Sequence, residues 1–164
     1  MSRVLLQLNV PSYLKKILVS KLGENYRPKE DNLYGLAIIN TLKRKSEHNY
    51  EYRREHYSGG DYRFKNSTEQ FFIYISVDRA SRRGFSFDPR RSFQIVKAFD
   101  KQIREELYTK AIFNKENYGI DYQTTINDWL NMYDISEEEL SYDSIRKDFN
   151  RNRIKLMKKL KIIA

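Results

Sequence analysis

The feature that most constrains the fold is a long apolar stripe in the middle of the chain, where Phe93, Val96, Phe99, Ile103, Leu107, Ala111 and Ile112 recur mostly at intervals of three and four. That spacing puts the side chains on one face of an α-helix. The chain must therefore bury one side of a helix running from about Pro89 to Phe113. Asp88-Pro89 suits its start, with Asp as N-cap and proline at the first helical position, where a missing N–H costs nothing. Such a stripe needs a second layer, and two segments can supply a sheet. Val4, Leu6, Leu8 and Val10 alternate up to Pro11, the two-residue period of a half-buried strand. Phe71 to Val77 is β-branched and aromatic, and is expected at the centre of a small sheet.

Between these strands, Tyr13, Leu14, Ile17, Leu18 and Leu22 follow helical spacing into Gly23, and a second helix is expected over about Asn32 to Lys45. The tyrosine- and charge-rich stretch from His48 to Phe64, broken by Ser58-Gly59-Gly60-Asp61, reads as a β-hairpin or exposed arm. Asp78 to Gly84 reads as a polar loop. The last third reads as helical, with Thr125 capping Ile126 to Tyr133, Ser136 capping a short turn through Leu140, and Ser141 capping a segment from Tyr142 to about Lys161. The expected fold is α+β: a small antiparallel sheet, a long central helix and a C-terminal helical unit. The length of 164 residues suits one domain or two small ones. A boundary at Tyr118-Gly119 would separate a core of residues 1–117 from a helical unit of residues 118–164.

Charge narrows the function. Lys and Arg number 31 against 22 Asp and Glu, a formal charge of +9. Nucleic acid is the commonest partner for such an excess, while a merely basic soluble protein is the alternative. Distribution favours the C-terminus. From Tyr142 to Lys161 the basic residues Arg146, Lys147, Arg151, Arg153, Lys155, Lys158, Lys159 and Lys161 face only Asp143 and Asp148. Ile145, Phe149, Leu156 and Leu160 form a stripe for burial, leaving Arg146, Lys147, Asn150, Arg151 and Arg153 largely on other faces.

The succession from Thr124 to Lys161, two short helical segments and then the basic one, resembles a helix-turn-helix unit. That resemblance implies a last helix lying in the major groove while its predecessors hold the backbone. Arg and Lys would then bond guanine O6 and N7, and Asn150 an adenine edge. The competing reading is a solvated basic helix that only caps the core. Trp129, in a helical stripe with Ile126 and Tyr133, reads as core rather than a base-stacking platform.

The N-terminal order of strand, helix and helix over residues 3–45 resembles the ribbon-helix-helix family, which would make Arg3, Leu5, Gln7 and Asn9 the base-reading side of a strand paired between subunits. An ordinary sheet strand is the alternative. Arg79, Arg82, Arg83, Arg90 and Arg91 form a further basic cluster, of which Arg82 and Arg83 are candidate phosphate contacts. Tyr50, Tyr52, Tyr57 and Tyr62 interleaved with Arg53, Arg54 and Arg63 would suit stacking on unpaired bases.

Catalysis has little support. There is no cysteine, and His48 and His56 are not in a metal-binding spacing. A carboxylate-only metal site would have to draw on Asp78, Asp88 and Glu105, whose spacing carries no such signature. The N-terminal apolar stretch, interrupted by Gln7 and Asn9, is too short and polar for a signal peptide or membrane span. The expectation is a non-enzymatic cytoplasmic protein without cofactor that binds duplex DNA and regulates transcription, with a homodimer compatible with paired half-sites. As a whole the chain resembles regulators of bacterial mobile elements and phages. The alternatives are a single-stranded DNA or RNA-binding module and an adaptor for an acidic protein.

Overall fold

The computed structural model describes residues 3–42, 69–84 and 89–162. The hairpin expected over His48 to Phe64 and the cap expected at Asp88 lie outside the described residues. In chain order the elements are β1 (Arg3–Val10), α1 (Ser12–Leu22), α2 (Leu33–Thr41), β2 (Glu69–Ser76), α3 (Val77–Arg83), α4 (Pro89–Tyr118), α5 (Tyr122–Met132) and α6 (Tyr142–Lys159). The fold is α+β, with a small antiparallel sheet and one long helix, α4. Two compact units divide within α4, at Met1–Phe99 and Asp100–Ala164, so that Gly119 falls inside the second.

In the first unit β1 and β2 pair antiparallel from Arg3 opposite Ser76 to Val10 opposite Glu69. Leu6, Leu8 and Val10 share a buried face with Phe71, Ile73 and Ile75, because residues two apart along a strand point the same way. Tyr13, Leu14, Ile17 and Leu18 of α1 and Ile38 and Ile39 of α2 complete this core. Arg3, Leu5, Gln7 and Asn9 are exposed, and their strand is laddered to β2 of its own chain. β2 also bridges in parallel to Tyr26, whose carbonyl accepts from the Tyr74 N–H at 2.8 Å. The Tyr26 hydroxyl donates to Asn32 Oδ1 at 2.9 Å, and the same oxygen caps α2 by accepting from the Gly35 N–H at 2.7 Å. A Cβ at Gly35 would collide with the Lys29 carbonyl, so only glycine lets α2 approach this segment.

Several boundaries differ from expectation. Asp78 to Gly84 is not a loop: Ser76 Oγ caps α3 at the Arg79 N–H (3.2 Å), Asp78 and Arg82 pair one turn apart, and Gly84 at φ 102° ends the helix. α2 stops at Thr41, because Leu42 turns extended and buries its side chain. α4 continues past Phe113 to Tyr118, where Gly119 at φ 68° allows a reversed cap, Gly119 N–H to Lys115 O and Ile120 N–H to Asn114 O. α5 starts at Tyr122 with Asp121 as its cap residue. Thr125, expected as that cap, is instead a buried residue inside α5 whose hydroxyl accepts from Asn114 Nδ2 at 3.1 Å.

The second unit is held by side chains of α4, α5 and α6. Ile103, Leu107, Tyr108, Ala111 and Ile112 are buried with Ile126, Trp129, Leu130, Ile145, Phe149 and Leu156. Trp129 is therefore a core residue, in edge contact with Tyr133. Phe149 sits 5.3 Å from the Tyr108 ring and 4.9 Å from the Tyr122 ring, centroid to centroid.

Candidate nucleic-acid interface

The candidate surface is one side of α6. Ser141 Oγ accepts from the Ser144 N–H at 3.2 Å and fixes its start. Ile145, Phe149 and Leu156, spaced four and seven apart, anchor one side. At about 100° per residue, Lys147, Asn150, Arg151, Ile154 and Lys158 fall on the opposite side, and all five are exposed. Leu160, expected in the buried stripe, lies beyond the helix end and is 39% exposed.

Beneath this helix lies a buried polar cluster. Arg104 Nε donates to both carboxylate oxygens of Asp100 at 2.9 Å, with both residues buried. Asp148 of α6 accepts from the Tyr108 hydroxyl at 2.6 Å and stands 3.9 Å from Arg104 Nη1. Burial, reinforced by the bond to Asp148, pushes the Tyr108 hydroxyl well above the usual tyrosine range. Asp148 is thus engaged at the back of the helix, and its charge is spent on the core rather than on the outer face.

The eight candidate residues separate into distinct environments. Arg146 and Lys147 share one carboxylate, Asp143, at 3.1 and 3.8 Å, and remain 48% and 65% exposed. Arg153 turns toward the core side and lies 5.6 Å from the Tyr122 ring centre, in cation-π geometry. Asn150, Arg151 and Lys155 are exposed. Among the described residues no carboxylate pairs with Arg151, Lys155 or Lys158, while Lys159 reaches Glu105 at 3.8 Å. Arg82 and Arg83 belong to the other unit, on α3. There Arg82 is paired with Asp78, and Arg79 donates to the Pro28 carbonyl at 2.6 Å and approaches Glu30 at 4.0 Å. Glu30, Ser76 and Asp78 line a cleft of about 220 Å³ together with these arginines, so carboxylates interrupt its positive field.

On the approach to α6, Ser136 to Leu140 forms the expected short turn: the Leu140 N–H bonds back to Ser136 O, and Glu139 Oε2 accepts from the Ser136 N–H at 2.9 Å. Asp134 at φ 51° reverses the chain after α5, a conformation Asp tolerates better than most residues. Asp78 and Glu105, imagined as metal ligands, lie in different units and face Arg82 and Lys159. Among the described residues no cluster of three metal-binding side chains occurs, and none of their helices is long and apolar enough to cross a membrane. Comparison with protein-family models, curated proteins and solved structures finds no match to this chain.

Proposed function

We propose that this protein binds duplex DNA through the outer face of α6 and acts as a regulator of transcription by occupying its site, without chemistry of its own. One observation carries the reading: α6 is anchored by Ile145, Phe149 and Leu156, and its free side presents Arg146, Lys147, Arg151, Lys155 and Lys158 with Asp143 as the one carboxylate on that side. A helix is about 10 to 12 Å across and the major groove about 12 Å wide, so a helix exposed along its length on one side matches that groove. Lys147 to Lys158 covers about 16 Å of helix, about five base-pair steps, which lets cations reach phosphates on both walls.

The test is a set of gel shifts with duplex DNA, the corresponding single strand and RNA over a range of salt. Duplex is bound tightest, and log affinity falls with log salt at a slope of about −3.6 to −4.5, as the displacement of counterions from four or five phosphates requires. Preference for single strand or RNA would move the site to an unpaired-base binder. Absence of salt-dependent binding to any nucleic acid would favour an acidic protein partner.

A further inference from the structure

The cationic face of α6 contains a side chain that phosphate binding leaves unexplained. Ile154 is 59% exposed, and it stands amid Lys147, Asn150, Arg151 and Lys158, which are seven, four and three positions before it and four after it. An exposed apolar residue alone would be ordinary. Here it sits among the exposed cations Lys147, Arg151 and Lys158, with the exposed amide of Asn150 one turn before it. Among the described residues that amide has no hydrogen-bond partner in the protein. The two side chains offer a donor, an acceptor and an apolar group within one helical turn, about 6 Å of axis.

That combination fits one base pair better than the others. In the major groove adenine presents an acceptor at N7 beside a donor at N6, and thymine presents its C5-methyl group. A carboxamide satisfies the adenine edge bidentately, and an aliphatic side chain shields the methyl group from water. We infer that Asn150 and Ile154 read adenine and thymine in the major groove, Asn150 on the adenine edge and Ile154 on the thymine methyl. This rests on the duplex reading above. The surrounding cations hold the helix to the backbone and give affinity without sequence preference.

The experiment compares binding to short alternating duplexes of dA-dT, dA-dU, dI-dC and dG-dC at constant low salt. The dU duplex lacks only the methyl group. The dI-dC duplex has the minor-groove pattern of A·T pairs but the major-groove pattern of G·C. The expected order places dA-dT first, dA-dU about fourfold weaker, as loss of one covered methyl group implies, and dI-dC no better than dG-dC. Ile154→Ala binds dA-dT and dA-dU alike, and Asn150→Ala binds dA-dU no better than dG-dC while keeping the roughly fourfold methyl preference of dA-dT over dA-dU. Both variants keep the wild-type salt slope and thermal melt, since both side chains are exposed. Equal wild-type affinity for dA-dT and dA-dU, or dI-dC bound as tightly as dA-dT, would overturn the inference while leaving duplex binding intact. No binding to any of the four would overturn the duplex reading itself, and this inference with it.

Discussion

α3 and α6 both carry closely spaced arginines, and they put them to different use. On α3, Arg79 is committed to the Pro28 carbonyl and Glu30, and Arg82 to Asp78 one turn earlier. On α6, Asp148 is turned inward to Tyr108, and Arg151, Lys155 and Lys158 are left without a carboxylate among the described residues. The lesson is that local counts of basic residues do not measure available charge. What matters is which side of the helix the acids occupy, and that depends on what the helix packs against.

The contrast can be broken at its root by removing the anchor of α6. Phe149 is 1% exposed and wedged between the Tyr108 and Tyr122 rings. Phe149→Ala is expected to destabilise the protein by about 3 to 5 kcal/mol, measured by chemical denaturation. A loss below 1 kcal/mol would mean that the buried stripe does not fix this helix.

Next in size is the effect of stripping the outer face. Arg151→Ala, Lys155→Ala and Lys158→Ala together are expected to weaken duplex binding more than about 30-fold and to flatten the salt slope by about 2 to 3, with folding unchanged. The same affinity after this change would remove α6 from the interface.

A smaller effect sharpens the role of the inward-facing acid. Tyr108→Phe removes the donor to Asp148 and is expected to cost about 1 kcal/mol at neutral pH. The native hydroxyl holds its proton more tightly than the unfolded one, so the unfolded state loses it first as pH rises. Stability from this group is therefore complete below the ordinary tyrosine value near 10.0 and is lost above it. Tyr108→Phe is expected to flatten the alkaline fall in stability. Tyr26, which burial also pushes upward, leaves part of that fall in place. An unchanged alkaline profile would contradict this account.

The smallest effect is expected on α3. Arg82→Ala with Arg83→Ala should change duplex affinity less than about threefold, because Arg82 already has Asp78 as its partner. A loss as large as that from the α6 substitutions would erase the distinction between the two helices.

Much of the fold was legible locally. β1 was visible because Leu6, Leu8 and Val10 alternate up to Pro11, and β2 because its residues are β-branched and aromatic. α6 was visible in Ser141 followed by Ile145 and Phe149. The helix over Val77–Arg83 was hidden because its seven residues are too few for an apolar period, and its stability comes from a cap, an i,i+4 ion pair and Ala80 beneath. The cap of α5 was misplaced because Thr125 suits a cap by composition, whereas its hydroxyl finds Asn114 on another helix.

The candidate site divides the same way. Sequence alone determined that the segment after Ser141 is an amphipathic helix rich in cations, since periodicity and charge are properties of neighbouring residues. Only the tertiary structure decided which of those cations are available. Arg153 lies against Tyr122, Lys159 meets Glu105 and Asp148 meets Tyr108, each a contact with a residue more than thirty positions earlier in the chain. Such pairings depend on how helices pack, and short-range patterning carries no record of them.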